Sequence, residues 1–453
     1  MSTVRSNSLE RRNIANDYMT KPILNLLRGK FAKGGLIPMF QMQQLAELKT
    51  LYSEFNAFIF EELLTGIGRD TLMRVATYLI GTDLYSGKEL NNKEVIENWF
   101  SEGNKVFAQN AFDRLEEYQE KSHKKLKIVH VISCLKILQF GLELGERGLL
   151  DKKSKEQSEI DLFFALLVCN QNEDYNQTKD KEKLKKLFPE NEAEALMLNY
   201  SFPVHDITNF YFSEYTECQI IKALLLFQFM ESSVDASELL ERFCEYFGIA
   251  NWKEYFERVI PVVTAWVSRN KASSVDLILE KNENYESNYK FLQKLALSEY
   301  IKMEDVDYIK LREKPLLQLD DTTFRVIHPL FVSDKIYKSL YFLFNQLNSN
   351  DPRIFPNFRS WYTSNFSENV CFREIIKYAI EKFNCRYFDD ELKAMDIVGP
   401  PDCYLRIAND LFLFENKDIL INAVVKTKYD FEALIDEVKK KLYEENGRPI
   451  GIG

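Results

Sequence analysis

Residues 401–417 read PDCYLRIANDLFLFENK, a stretch in which apolar and polar residues alternate before Asn-Asp and a continuous apolar run follows it. Alternating or continuous apolar runs of this length predict two β-strands, and Asn409 with Asp410 are residues that two-residue hairpin turns favour. A turn at these two positions would pair Ala408 with Leu411. We therefore expect a hairpin whose second strand runs from Leu411 to Lys417.

The predicted register brings three charged side chains to one face of the hairpin. Counting outward from the turn places Tyr404 opposite Glu415 and Asp402 opposite Lys417. Glu415 and Lys417 share a face because side chains alternate along a strand. The opposite face is apolar and comprises Cys403, Leu405, Ile407, Phe412 and Phe414. Asp402, Glu415 and Lys417 should therefore converge.

This charged group has the composition of a metal-dependent hydrolytic site. Two neighbouring carboxylates repel each other unless a cation or a proton compensates them. Mg²⁺ prefers oxygen ligands and is typically held by one or two carboxylates. Asp402 and Glu415 would serve as these ligands, while Lys417 would assist an attacking water or neutralise charge on a phosphate.

An acidic residue two positions before a lysine is a common pattern, and it recurs elsewhere in this chain. The other examples are Glu47 with Lys49, Asp151 with Lys153, Glu391 with Lys393, and Glu437 with Lys439. The example at Glu415 is distinguished by the strand pattern before it and by an acid on the partner strand. The alternative is a surface hairpin in which Asp402 and Lys417 form an ordinary ion pair.

A helix predicted over Ser367 to Phe383 supplies a further acid. Its apolar stripe consists of Phe372, Ile375, Ile376, Ala379 and Phe383. At about 100° per residue, Glu368 falls within this stripe, whereas Glu374 and Glu381 fall on the opposite face. We expect Glu368 to face the core and to find its compensating partner in the metal site.

Together these residues resemble the PD-(D/E)xK phosphodiesterase superfamily, whose core runs helix, three-stranded meander, helix and final strand. Glu368 would be the helix acid, Arg386–Phe388 the first strand, and Asp402 the start of the second. The segment Glu415–Lys417 would supply E-x-K on the third strand, and a helix predicted over Asp430–Glu445 would follow. The resemblance covers about the last hundred residues.

The resemblance implies a site and a cofactor. In that family two acids, here Asp402 and Glu415, bind Mg²⁺ or Mn²⁺ with the backbone carbonyl of the intervening residue, here Asn416. The lysine, here Lys417, assists the water that attacks the phosphodiester, and Glu368 is implied as an additional acid at the metal. Because the chain stops at Gly453, soon after the predicted helix, we expect this restriction-endonuclease-like α/β domain to lack its last strand.

The composition indicates a globular protein of several domains. The chain has 453 residues, of which 45% are hydrophobic and 28% charged. Its seven cysteines include no C-x-x-C pair, which argues against a zinc site or a disulfide framework. The start shows no signal-peptide pattern, and the densest apolar run, Ile220–Met230, is interrupted by Lys222. We expect a cytoplasmic protein without membrane contact.

Three regions are predicted along the chain. Helical periodicity dominates residues 1–304, with helices expected at Gln41–Leu64 and Glu217–Glu231 among others. Residues 305–356 predict a small α+β connector and a proline-containing linker, with short strands at Pro315–Leu317 and Phe324–Ile327. Residues 357–453 form the nuclease-like domain. The predicted fold is a mainly α N-terminal array followed by an α/β domain.

The leading hypothesis is a Mg²⁺-dependent nuclease whose helical part senses a target or binds a partner, as in bacterial defence systems. Its substrate would be nucleic acid, with DNA favoured over RNA. The net charge of −10 argues against broad non-specific binding to nucleic acid. Two alternatives stay open: a non-catalytic helical interaction or scaffold protein with a degenerate nuclease fold, and a nucleic-acid-binding regulator that does not cut. A protein partner or a second copy of the chain would suit the helical part.

Overall fold

The computed structural model describes residues 44–55, 58–85, 92–144, 150–187, 203–208, 210–268, 274–297 and 306–442, together with 148, 189, 444–445 and 448–449. Helices make up about 64% of the structure. The predicted combination of a mainly helical protein with a smaller α/β part is confirmed at this level. The sequence predicts that the C-terminal domain lacks its last strand. Residues 450–453, at the end of the chain, lie outside the described residues.

The α-helices are short to medium in length and are numbered here in chain order. They are α1 Leu48–Leu51, α2 Phe60–Leu64, α3 Arg69–Tyr85, α4 Asn92–Trp99, α5 Lys105–Ser122, α6 Val131–Glu143, α7 Lys155–Thr178, α8 Lys181–Leu187, α9 His205–Thr208, α10 Phe212–Ser232, α11 Val234–Phe247, α12 Trp252–Ser268, α13 Tyr285–Leu295, α14 Ile309–Glu313, α15 Pro329–Asp334, α16 Leu340–Asn348, α17 Phe358–Trp361, α18 Arg373–Ala379, α19 Asp389–Lys393, α20 Ala423–Thr427 and α21 Phe431–Leu442. A π-helix spans Tyr362–Phe372, and 3₁₀ turns span Glu102–Asn104 and Val306–Tyr308.

The strands form four small sheets in the described part of the chain. They are β1 Gln44–Leu45, β2 Leu126–Lys127, β3 Val275–Ile278, β4 Ala296–Leu297, β5 Leu316–Gln318, β6 Thr323–Val326, β7 Arg386–Phe388, β8 Cys403–Ile407, β9 Asp410–Phe414, β10 Glu444–Glu445 and β11 Arg448–Pro449. The larger sheets have the orders β3-β6-β5-β4 and β7-β8-β9. In the first, β4 runs parallel to β5 and the other pairs are antiparallel.

Contacts divide the chain into two compact units whose boundaries differ from the predicted regions. Among the described residues, the first unit contains those that fall within 1–216, 257–335 and 423–433, and the second contains those within 217–256, 336–422 and 434–453. Residues 217–256 therefore cluster with the C-terminal region. The physical reason is aromatic packing, because Phe243 on α11 lies 5.1 Å from Phe344 on α16 between ring centres.

The first unit is built on helices whose apolar faces form one extended core. Helices α3 and α6 pack closely, and Leu72, Ile80 and Leu135 on them are fully buried. The predicted strands near 315–317 and 324–327 are confirmed as β5 and β6, but they belong to this unit's sheet rather than to a separate connector. Leu317 and Phe331 join the same core.

The second unit contains an aromatic core. Phe227 is fully buried and stacks on Trp252 at 5.4 Å between ring centres, with the ring planes 2° apart. A second group of aromatic side chains follows α16, where Phe355 stacks on Trp361 at 4.0 Å. Phe366 in the π-helix is also fully buried. This packing fixes the helices that precede the three-stranded sheet.

The sheet β7-β8-β9 is an antiparallel meander, and the prediction of its first strand at Arg386–Phe388 is confirmed. The core on its buried face is small and consists of Phe388, Cys403 and Leu405 from the sheet and Ile380 from the end of the preceding helix, with Phe414 packed against them. Within the described residues β9 is an edge strand, and Phe412 is 44% exposed despite lying on the apolar face.

The predicted hairpin register was wrong by two residues. The ladder pairs Ile407 with Asp410 and Cys403 with Phe414, so the turn consists of Ala408 and Asn409. Arg406 stabilises this turn by donating from Nε to the carbonyl of Ala408 at 3.0 Å. A shift of two residues keeps every side chain on its predicted face, because the side-chain period of a strand is two.

The helix before the meander also differs from its prediction. The predicted single α-helix over Ser367 to Phe383 is instead the end of the π-helix followed by α18. A π-helix has i→i+5 hydrogen bonds, so the 100° spacing that placed Glu368 toward the core does not apply. Glu368 is exposed, and the expectation that it faces the core was wrong.

Other sequence predictions were partly corrected. The predicted helix over Gln41–Leu64 is replaced, in its described residues, by β1, α1 and α2. The predicted helix Asp430–Glu445 is observed as α21, but it ends at Leu442, and the helical prediction for Glu444–Glu445 was wrong because they form β10. The Asp430 cap is confirmed by its Oδ1 accepting from the Ala433 amide at 3.1 Å. Within the described residues, no helix is both long and apolar enough to cross a membrane.

Candidate functional site

Asp402 directly precedes β8 and marks the point where the β8–β9 ladder stops. Its Oδ2 accepts a hydrogen bond from the backbone amide of Asn416 at 2.6 Å. The Asn416 amide therefore donates to the side chain of Asp402. In a longer ladder it would donate to a backbone carbonyl of the neighbouring strand. As a result β9 ends at Phe414, and the prediction that the strand extends to Lys417 was wrong.

Glu415, Asn416 and Lys417 form an extended segment after β9. Continuing the observed register by one pair places Asp402 opposite Glu415 rather than opposite Lys417. Lys417 Nζ lies 2.6 Å from Glu415 Oε1, so the lysine pairs within its own segment. This contact alone does not indicate function, because Lys49 and Glu47 make a similar pair at 2.9 Å.

The electrostatics of Asp402 are those of a crowded carboxylate. Partial burial raises the pKa of Asp402 above its ordinary value, although the hydrogen bond from the Asn416 amide acts in the opposite direction. The charge of Glu415 raises this pKa further, and Lys417 lowers it. The neighbouring charges of Glu415 and Lys417 thus act on Asp402 in opposite directions.

Glu368 reaches the same electrostatic environment from the π-helix. Partial shielding from solvent raises the pKa of Glu368, and the next cause is the charge of Asp402. Lys417 acts on Glu368 in the opposite sense, and the pKa of Lys417 is itself raised, first by its hydrogen bond to Glu415. All four predicted site residues thus lie within electrostatic range of one another, although Glu368 forms no ion pair among the described residues.

Comparisons with protein-family models, with curated proteins and with solved structures found no match. The resemblance to the PD-(D/E)xK superfamily therefore rests on the sequence pattern alone.

The predicted metal ligands supply oxygen atoms, which Mg²⁺ prefers, but they do not form a cluster of three acids. In the part of the chain that the structure describes, no group of three or more His, Cys, Asp and Glu side chains is arranged to hold a metal ion. Asp402 Oδ2 is engaged by the Asn416 amide, and Glu415 is engaged by Lys417. Two carboxylates and one backbone carbonyl are nevertheless a set that Mg²⁺ accepts, since this ion keeps several waters.

Two residues that sequence reasoning missed hold the segment after Glu415. Arg359 on α17 donates from Nη2 to Asp418 Oδ1 at 2.8 Å and also to the backbone carbonyl of Asp418. Asp418 follows Lys417 directly and contributes to the raised pKa of Glu368. Its position could have been noted from the sequence, whereas nothing in the sequence signals that Arg359 is its partner.

A second charged cluster, in the first unit, is internally compensated. Arg312 Nη2 lies 2.9 Å from Asp206 Oδ2 and 3.3 Å from Asp307 Oδ1, and its Nη1 lies 3.7 Å from Asp334 Oδ2. Lys426 Nζ lies 3.1 Å from Asp206 Oδ1 and 2.8 Å from Asp307 Oδ1. Both cations are thus held by several carboxylates, which is the arrangement of a structural ion network.

Proposed function

We propose that this protein is a metal-dependent phosphodiesterase that cuts nucleic acid, with its site at Asp402, Glu415, Asn416, Lys417 and Glu368. The observation that carries the proposal is the hydrogen bond from the Asn416 amide to Asp402 Oδ2 at 2.6 Å, which attaches the acid before β8 to the segment in which Lys417 Nζ lies 2.6 Å from Glu415 Oε1. Lys417 balances one negative charge of this group, and a metal cation would balance the charge that remains. The restriction-endonuclease-like fold and the preference for DNA over RNA are part of the same proposal.

In this proposal Asp402, Glu415 and the backbone carbonyl of Asn416 would hold Mg²⁺ or Mn²⁺, with Glu368 close by. The cation would supply Lewis acidity toward a phosphate oxygen and would lower the pKa of a bound water. The chain's own residues orient the reaction. Asp402 fixes the Asn416 amide, and Lys417 provides the positive charge nearest to the carboxylates.

The experiment is a cleavage assay of the purified chain on single- and double-stranded DNA and on RNA, with Mg²⁺ or Mn²⁺. The test variant is Lys417→Met, which removes the ammonium group and keeps the length of the side chain. The matched control is Lys393→Met, since Lys393 also follows an acid by two positions and pairs with Asp389 Oδ2 at 2.8 Å in the same unit. We expect cleavage by the wild type and by Lys393→Met, and none by Lys417→Met.

Equal cleavage by Lys417→Met and the wild type, with both folded, would exclude the proposed role of Lys417. Failure of the wild type to cleave any of these nucleic acids with either metal would contradict the nuclease proposal as a whole.

A further inference from the structure

The segment 415–418 has neither helical nor strand structure, so its position depends on tertiary contacts. Among the described residues, two hydrogen-bonded attachments connect it to the rest of the second unit. Asp402 accepts from the Asn416 amide, and Arg359 donates to the carbonyl and carboxylate of Asp418. The first attachment uses a proposed metal ligand, whereas the second lies outside the proposed ligand set.

Arg359 is well placed to act as a rigid support. Its guanidinium carbon lies 5.1 Å from the centre of the Tyr341 ring, a distance at which cation–π attraction holds the group. Helix α17 itself is fixed at its start, because Asn357 Oδ1 accepts from the Ser360 amide at 3.1 Å. Phe358 on the same helix is buried. The guanidinium therefore connects a packed helix to an otherwise irregular segment.

We propose that Arg359 is a positioning residue that holds the Asn416 carbonyl and Glu415 where they can bind the cation, by fixing Asp418 at the end of the same segment. This inference rests on the proposed function and extends it to a residue that would not touch the metal. Groups that orient metal ligands typically change metal affinity by 10–100-fold when they are lost.

The sign of the effect distinguishes positioning from simple electrostatics. Arg359 is a cation near the proposed ligands, so its charge alone repels Mg²⁺ or Mn²⁺. If its influence were only electrostatic, removal of the charge would tighten metal binding. If Arg359 positions the segment, the same substitution weakens binding. A role in overall stability alone would leave metal affinity unchanged in the folded protein.

The experiment is calorimetric titration of the full chain with Mn²⁺, comparing the wild type with Arg359→Gln and Arg359→Lys. The matched control is Arg373→Gln. Arg373 also bonds an aspartate, with Nη2 at 2.8 Å from both carboxylate oxygens of Asp390, and lies 4.9 Å from the Phe388 ring centre. Both arginine side chains are 30% exposed. The two substitutions should therefore perturb folding to a similar degree.

We expect Arg359→Gln to weaken Mn²⁺ binding by about tenfold or more, and Arg373→Gln to leave it unchanged. Arg359→Lys should also weaken binding, because it keeps the charge but loses the planar group that bonds both acceptors. If Arg359→Gln does not fold, the lysine variant decides the test.

Wild-type affinity or tighter binding in the folded Arg359 variants would overturn the positioning role while leaving the proposed function intact. Absence of Mn²⁺ binding by the wild type would overturn both. The two failures are therefore distinguishable.

Discussion

Replacement of Asp402 by Asn is expected to stabilise the β8–β9 hairpin at neutral pH while removing a proposed metal ligand. Burial and Glu415 raise the pKa of Asp402, so its ionised form is disfavoured in the folded protein. An Asn side chain has no charge to desolvate, and its carbonyl oxygen can still accept the amide of Asn416. The energetic cost of the charge is removed and the hydrogen bond is kept.

Asp402→Ala is the informative comparison. It also removes the charge, but it leaves the Asn416 amide without its acceptor, which costs about 1–3 kcal/mol when such a group is shielded from water. At pH 7 we therefore expect the Asp402→Asn hairpin to be the most stable, the wild type to be intermediate and the Asp402→Ala hairpin to be the least stable. The free energy of opening should be about 1–3 kcal/mol higher in the Asn variant than in the Ala variant.

The pH dependence follows from the direction of the shift. For an acid whose pKa is raised by folding, the penalty is absent below the pKa of the unfolded chain and grows as pH rises through the folded pKa. The advantage of the Asp402→Asn variant over the wild type should therefore disappear in acid, where Asp402 is protonated in both states. Hydrogen exchange of the β8 amides, corrected for intrinsic rates at each pH, measures the local free energy of opening. An Asp402→Asn hairpin that is less stable than the wild type at pH 7 would show that the charge of Asp402 is not disfavoured by folding.

Two further predictions concern other residues. Lys426→Met should lower the free energy of unfolding by about 1–3 kcal/mol in urea titrations, because it removes one of the two cations that contact Asp206 and Asp307, while Arg312 still compensates both. An unchanged free energy of unfolding would contradict the assignment of a buried network. Glu368→Gln should change the free energy of unfolding by less than about 0.5 kcal/mol, since Glu368 is exposed. It should nevertheless weaken Mn²⁺ binding in calorimetry, because it reduces the negative charge of the site. Unchanged Mn²⁺ affinity would show that Glu368 is not part of the site.

The hairpin illustrates what the sequence could and could not predict. Alternation identified both strands and assigned the side chains to the correct faces, because face depends only on whether a residue number is odd or even. Periodicity did not determine the register, since the turn consists of Ala408 and Asn409 rather than the expected Asn409 and Asp410. The observed turn carries a hydrogen bond from Arg406 to the carbonyl of Ala408, a contact that strand periodicity does not describe.

Glu368 illustrates a different limit. Helical phase selected it over Glu374 and Glu381, but the phase assumed an α-helix, whereas the residue lies in a π-helix and is exposed. The charge of Asp402 contributes to the raised pKa of Glu368, an influence between separate chain segments that periodicity does not describe. For the same reason the pairing of Arg359 with Asp418 could not be predicted, since the two residues are far apart in the chain.

Mn²⁺ binding by the wild-type chain and by Glu415→Gln is the most direct test of the proposed metal site. Binding is followed by calorimetry and by the electron paramagnetic resonance of free Mn²⁺. Glu415 is exposed and forms its ion pair with a neighbour in its own segment, so the substitution should leave the fold intact. We predict saturable binding by the wild type that is lost in Glu415→Gln. Equal binding by both proteins, or none by the wild type, would contradict the assignment of a metal site to these residues.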